Sequence, residues 1–243
     1  MNAYNSDTEE IKKILREAEH AVFFGGAGVS TESGIPDFRG NGGLYSGEGS
    51  SEYYLSRECL VCEPEKFFEF FRRNMIFDSA EPNLAHLALA ELERRGVIRA
   101  VITQNIDGLH QRAGSRNVIE LHGTAGRFYC MKCRAEYGAD IIYGDSIPRC
   151  EKCGGTVRPD VTLYGEPLDG YSFRRAEEEI ERADVLIVGG TSLLVNPAAS
   201  LVDEYQGEHL IIINYSSTPY DEYAEYVIRE SVSDVLSAIA EDI

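Results

Sequence analysis

Two Cys-x2-Cys pairs, Cys130 with Cys133 and Cys150 with Cys153, stand 16 residues apart in this chain of 243, and nothing else in it limits the fold as tightly. Two residues between the cysteines of a pair let one tight turn bring both sulfurs onto a single ion. Four thiolates then complete a tetrahedral shell with no position left for water, which makes such a site structural and not catalytic. Disulfides or a redox pair are the competing reading, but two pairs at this gap favour one structural Zn2+ held by Cys130, Cys133, Cys150 and Cys153. Cys59 and Cys62 make a third Cys-x2-Cys with no partner pair, and read as small buried apolar residues.

The rest of the chain alternates apolar runs with helical patterns. Residues 21–24, 97–103, 118–121, 185–188 and 210–213 are short and mainly apolar, as strands buried on both faces must be, with Arg99 and Glu120 the charged exceptions. Each is followed closely by glycine or polar residues: Gly25-Gly26-Ala27-Gly28, Gln104-Asn105-Ile106-Asp107, His122-Gly123, Gly189-Gly190-Thr191-Ser192 and Asn214. Between them, Ser6 and Glu9 read as a capping box ahead of Ile11, Ile14, Leu15 and Ala18. Pro64 opens a helix dense in Phe67, Phe68, Phe70 and Phe71, and a third helix over 83–95 stops at Gly96. The pattern predicts an α/β fold: a Rossmann-like, doubly wound parallel sheet with a small zinc-ribbon insert and a helical insert. The large domain takes 1–40, 76–125 and 160–243, the helical insert 41–75 and the zinc module 126–159. Ligands of such sheets bind beyond the carboxyl ends of the strands, where the polar residues gather.

Gly26-Ala27-Gly28 after a strand suits the approach of a pyrophosphate to backbone N–H groups. It is not a complete dinucleotide fingerprint, because position 31 is Thr31 and no strand ending in an acid follows at the usual distance. The longer string from Gly26 through Thr31, Glu32, Ser33, Gly34, Ile35, Pro36 and Asp37 to Phe38-Arg39 carries more. With Gln104-Asn105-Ile106-Asp107, His122-Gly123, the four cysteines, Gly165-Glu166, Gly190-Thr191-Ser192 and Asn214 in that order, the chain closely resembles the sirtuins, NAD-dependent protein-lysine deacylases, over about residues 9–240.

The resemblance implies that Gly26, Ala27 and Gly28 hold the NAD pyrophosphate, while Thr31 to Arg39 closes over it. Arg39 then lies near the phosphates and Phe38 shields the reactive ribose carbon. Gln104, Asn105, Ile106 and Asp107 fall at the nicotinamide end, Asn105 sharing the catalytic work with His122. Gly190, Thr191, Ser192 and Asn214 fall at the adenosine half, with Val232 near the adenine. Read without the family, Asn105 and Asp107 are as readily caps of the next helix, Phe38 a packing residue and Asn214 a turn former.

Among five histidines, His20, His86 and His110 sit in or beside helical patterns and read as structural or surface groups, and His209 as part of a charged turn. His122 follows a strand at the ligand edge, where an imidazole can take a proton near neutral pH without a metal. In the implied reaction the acyl oxygen of a modified lysine attacks the ribose carbon, nicotinamide leaves and a covalent imidate forms. His122 then activates the ribose hydroxyl that attacks it. The products are free lysine, nicotinamide and O-acyl-ADP-ribose. The substrate peptide enters as a strand between the large domain and the zinc module. An ADP-ribosyltransferase using the same pocket and an NAD or ADP-ribose sensor are the rival classes.

A composition 43% hydrophobic and 26% charged is that of a soluble globular protein, and no apolar run reaches the length of a membrane span. A formal net charge of −18 disfavours direct binding to nucleic acid and suits acetyl-lysine proteins or peptides, whose flanks are lysine-rich. Four thiols committed to metal fit the reducing cytoplasm. Succinyl- and malonyl-specific sirtuins carry a Tyr-x-x-Arg pair in the helix after the cofactor loop. Here Phe71 and Asn74 occupy those positions, and neither neutralises a carboxylate, so acetyl is the expected acyl group. Thr162 and Tyr164 bring hydroxyls to a stretch that is wholly apolar in many sirtuins.

Overall fold

The computed structural model describes residues 3–37, 51–144, 146–241 and 243, with side chains from Asp7 onward. Helix α1 (Ala3–Glu17) starts before Ser6, so Ser6 lies inside the helix and not at its N-cap. Ile11 and Leu15 are buried one turn apart on its inner face. Strand β1 (Ala21–Gly25) follows, buried at every position. The helical insert contributes α2 (Ser51–Tyr54), α3 (Arg57–Cys62) and α4 (Pro64–Met75), with Ser56 capping α3 through the Cys59 N–H and Pro64 opening α4. Cys62 is exposed, so the expected burial is found for Cys59 alone. Helix α5 (Leu84–Arg94) is capped by Asn83 and leads into β2 (Ile98–Thr103). Then come α6 (Leu109–Ala113) and β3 (Val118–Glu120).

Strands β4 (Gly123–Cys130), β5 (Glu136–Gly138) and β6 (Val157–Val161) form an antiparallel sheet in the order β5-β4-β6. Helix α7 (Gly170–Glu181), β7 (Val185–Gly189), β8 (His209–Ile213), β9 (Tyr226–Ile228) and α8 (Val232–Glu241) complete the chain. His209 is thus the first residue of a strand and not part of a turn, its Nδ1 2.5 Å from Glu225 Oε2.

The large sheet has the order β3-β2-β1-β7-β8-β9, and all its pairs are parallel. Parallel strands covered by helices on both faces must be apolar on both faces, which is why β1 and β7 show no alternation. One face packs on α1, α5 and α8 through Ile11, Leu89, Phe23 and Ile239. The other packs on α7 and the 3-10 turn Ala199–Glu204 through Ile180, Leu186 and Leu201. A third apolar cluster joins the two inserts: Phe67, Phe68 and Phe71 of α4 pack with Phe128, Cys130 and Val157 of the antiparallel sheet. Strand order reverses between β1 and β7, and a crevice opens there beyond the carboxyl ends.

Candidate active site and zinc centre

The loops after β1 and β7 meet at the crevice. Gly28 N donates to Gly190 O at 2.8 Å, and a Cβ on Gly28 would lie 2.7 Å from Gly190 Cα. Gly190 has φ +60, and a Cβ there would lie 2.5 Å from Val29 N. These glycines are therefore required by the crossing of two loops, before any phosphate is considered. The crevice widens into a cavity of about 500 Å³ whose walls include Ala27, Gly28, Thr31, Gln104, Asn105, Ile106, Asp107, His122, Gly190, Thr191, Ser192, Asn214 and Val232. The residues nominated by sequence thus converge on one space from the ends of β1, β2, β3, β7 and β8. Gly26 stands behind the wall, where a Cβ would come 2.9 Å from Thr191 Cβ. Phe38 and Arg39 lie outside the described residues.

Hydrogen bonds tie these groups together. His122 Nδ1 lies 2.9 Å from Gln104 O. A carbonyl only accepts, so Nδ1 carries the ring proton and Nε2 of the neutral ring keeps its lone pair. Burial pushes the His122 pKa down, partly opposed by that carbonyl. Gln104 Nε2 donates to Thr191 Oγ1 at 3.0 Å, joining the ends of β2 and β7. Asn105 Nδ2 donates to Gly26 O at 3.1 Å and to Ser30 Oγ at 3.0 Å. Ser30 Oγ in turn donates to Asp107 Oδ2 at 2.7 Å, and Asp107 Oδ1 accepts from Leu109 N at 2.9 Å. Asp107 therefore does cap the next turn, as a plain reading had it, while its other oxygen is tied to the glycine-loop side. Among the described residues Asn105 makes no capping bond; it braces the glycine turn.

Sequence reasoning did not nominate Ser30, the hub of this network, nor His86 beside it. His86 is fully buried, its Nδ1 accepting from Asn83 N at 3.3 Å and its Nε2 3.4 Å from Ser30 Oγ. Its place three residues after an N-cap was the available signal. His110 is buried too, with ring centroids 4.7 Å from His86 and no hydrogen-bond partner for either nitrogen among the described residues. These two histidines are core groups, and the surface alternative is excluded for both.

The fit to NAD can be judged from the donor set. Among the described residues no Lys or Arg lines the cavity, whereas Glu32, Asp37, Asp107 and Glu166 do. The N–H groups of Gly26, Gly28 and Val29 already donate to Gly189 O, Gly190 O and Gly26 O, so a pyrophosphate there would meet the N–H of Ala27 and the close approach that side-chain-free glycines allow. The acyl side of the cavity is apolar, walled by Leu55, Phe71, Met75, Phe77, Val161 and Leu163. Asn74 turns away, its Nδ2 donating to Phe70 O at 2.9 Å.

The four cysteines form one cluster, their sulfurs all within 4.8 Å of one another. Cys130 Sγ lies 3.5 Å from Cys153 Sγ, and Cys133 Sγ 3.5 Å from Cys150 Sγ. Zn–S bonds of about 2.3 Å in a tetrahedron separate sulfurs by about 3.8 Å, so the residues fit a structural zinc. The two turns are built alike. Arg134 N donates to Cys130 O and Gly154 N to Cys150 O, and Arg134 (φ 60) and Gly154 (φ 68) both take the left-handed conformation that closes the turn. Gly155 leaves room for sulfur, since a Cβ there would lie 3.0 Å from Cys130 Sγ. Tyr137 Oη accepts from Glu151 N at 3.0 Å, which directs its own proton to Cys150 Sγ at 3.0 Å.

A Rossmann-type crevice with a buried histidine at one wall, beside a four-cysteine cluster that fits zinc, is the frame of a nucleotide-dependent enzyme. The chain belongs to the Sir2 family, whose model matches residues 26–197. It is 50% identical over 241 residues to an NAD-dependent protein deacetylase of Clostridium tetani, covering 97% of this chain and 98% of that protein. A protein of the same name from Cutibacterium acnes is 50% identical over 236 residues, covering 95% of this chain and 96% of the relative. Among solved structures, a Sir2 histidine-to-alanine variant with a deacetylated p53 peptide and 3'-O-acetyl ADP-ribose superposes with TM-score 0.89 at 39% identity, covering 97% of this chain and 98% of that one. A Sir2 homologue in complex with NAD gives 0.87 at 40% identity, covering 96% and 92%.

Proposed function

We propose that this chain is an NAD-dependent protein-lysine deacetylase, releasing nicotinamide, O-acetyl-ADP-ribose and free lysine. The observation that carries the reading is His122: a neutral imidazole held by one backbone carbonyl, at the end of β3, in the wall shared by the nucleotide crevice and the apolar channel. NAD, when bound, supplies an electrophilic ribose carbon with nicotinamide as its leaving group. His122 takes the ribose hydroxyl proton at Nε2 and gives it up at a later step. Asn105 and Asp107 orient the nicotinamide end, their side chains braced through Ser30. Thr191, Ser192, Asn214 and Val232 hold the adenosine half, and Arg39 the phosphates. Leu55, Phe71, Val161 and Leu163 exclude water from the acyl group.

The same proposal divides the chain into a nucleotide-binding domain, a helical insert and a zinc module. Its support is that separate apolar clusters flank the six-stranded sheet while a third joins the inserts. Acetyl-lysine proteins or peptides are the partners. A cytoplasmic location suits thiols committed to a metal, and among the described residues no helix is long and apolar enough to cross a membrane.

Mass spectrometry of an acetyl-lysine peptide incubated with NAD tests the activity: deacetylated peptide and O-acetyl-ADP-ribose must appear together. Label from NAD remaining on protein would favour ADP-ribosyl transfer instead. His122→Ala should bind NAD as wild type does and lose about 10² to 10⁴ in kcat, and near-normal turnover would remove the base assignment.

A further inference from the structure

Glu166 stands in the cavity wall with its side chain 17% exposed, and Arg158 on β6 faces it, 5% exposed. Arg158 Nη1 donates to Glu166 Oε1 at 2.5 Å and Nη2 to Oε2 at 3.0 Å, the two parallel bonds of a fork on a carboxylate. The other guanidinium contacts go to backbone: Nε donates to Pro159 O at 3.1 Å and Nη2 to Val161 O at 2.6 Å. Glu166 also closes its own turn twice. Its N–H donates to Leu163 O at 2.9 Å and its Oε2 accepts from Leu163 N at 3.0 Å, with Gly165 at φ +84 in between.

A buried ion pair is a poor means of raising stability, because desolvation offsets most of the attraction. What this pair supplies is direction. Apart from the Pro159 bond and an Arg57 Nε 4.0 Å from Glu166 Oε1, its bonds fix the segment 161–166, of which Val161, Leu163 and Glu166 line the cavity and Thr162 N donates to His122 O at 2.9 Å. The anchor at the far end is the zinc module. Arg158 pairs with Tyr129 across β4 and β6, with its Cζ 5.7 Å from the Tyr129 ring. Arg134 of the first cysteine turn packs on the same ring at 3.9 Å.

Resting on the deacetylase reading, we infer that Arg158 and Glu166 are positioning residues for the acyl-lysine substrate, their forked pair holding the cavity wall beside His122 in register with the zinc module. Arg158 and Glu166 belong to β6 and the turn after it, whereas the glycine turns at the ends of β1 and β7 make no hydrogen bond to either side chain among the described residues. Disturbing the pair therefore acts on the peptide and spares NAD.

Steady-state kinetics of the zinc-loaded enzyme with Glu166→Gln and Arg158→Lys tests this. Gln keeps an oxygen for the Leu163 N–H and loses the charge, while Lys keeps the charge and loses the fork. In both variants KM for an acetyl-lysine peptide should rise about tenfold or more while KM for NAD stays within about twofold and zinc content is unchanged. The double variant should be no worse than the worse single one, as expected of one shared interaction. A peptide KM within about twofold of wild type in both variants would overturn the assignment, as would NAD KM rising in parallel or loss of zinc, which would mark a general loss of structure. If the wild type itself releases no acetyl group, the deacetylase reading fails and takes this role with it; wild-type turnover with unchanged variants removes the positioning role alone.

Discussion

The proposed role of His122 rests on one carbonyl neighbour and on burial, neither of which is written in its local sequence. The Gln104 carbonyl fixes the tautomer, and burial lowers the pKa from the usual histidine value near 6.5. With the neutral ring as the proposed base, the acid limb of kcat/KM against pH should have its midpoint below 6.5. A midpoint above 7 would mean that some other group carries the limb. Phe71 and Asn74 make a second statement at this scale. Phe71 is fully buried in the acyl wall, and Asn74 is hydrogen-bonded to its own helix, so a succinyl carboxylate would enter the channel without a cation among the described lining residues. An unpaired buried charge costs several kcal/mol, so deacetylation should outrun desuccinylation at equal peptide concentration. The reverse order of rates would remove the argument.

The two cysteine turns work as one element because each supplies two sulfurs and neither has a core of its own. Purified protein should contain one zinc per chain, and Cys130→Ser should open the module to protease. Tyr137 refines this: its hydroxyl is committed to Cys150 Sγ by the Glu151 N–H that it accepts. Tyr137→Phe should weaken zinc binding about tenfold in competition with a chromogenic chelator, and unchanged affinity would show that the hydrogen bond does not tune the site. At the same scale, β1, β2, β3, β7 and β8 were legible because short, mainly apolar runs ending in glycine or polar residues suit strands covered on both faces better than helices of that length. Strand β9 was not read: its three residues, Tyr226–Ile228, are too short for periodicity and pair only because β8 is beside them. Helix α1 was placed too late because Ser6 and Glu9 satisfy the capping spacing whether or not the helix has already begun.

In the whole molecule, His86 and His110 set a dependence on acid. Burial pushes His86 to about 4 and His110 to about 3, so the native chain leaves both neutral where the unfolded chain has begun to protonate. A depressed histidine pKa means that the unfolded state binds more protons as pH falls below about 6.5, so stability is lost in that direction, by about 1.4 kcal/mol per pH unit for each histidine until its native pKa is approached. Urea midpoints measured between pH 8 and 4 should fall more steeply for wild type than for His110→Leu. Parallel curves would show that His110 contributes nothing to the linkage. The net charge of −18 adds a broader repulsion at neutral pH, which salt should relieve and which does not distinguish these two variants.

The four-cysteine cluster, the parallel sheet and the ligand edge were determined by the sequence alone, because each rests on local rules: cysteine spacing, short and mainly apolar runs, and glycine or polar residues soon after a strand. Several matters were decided only in three dimensions. Gly28 and Gly190 are forced by a contact between loops far apart in the chain, Ser30 joins Asn105 to Asp107, and Arg158 closes on Glu166 within the cavity wall. Phe67 of one insert and Phe128 of the other enter one apolar cluster. Such contacts leave no periodic trace, since each residue is chosen by a partner distant in sequence, and only the packing of the sheet against its inserts brings the two together.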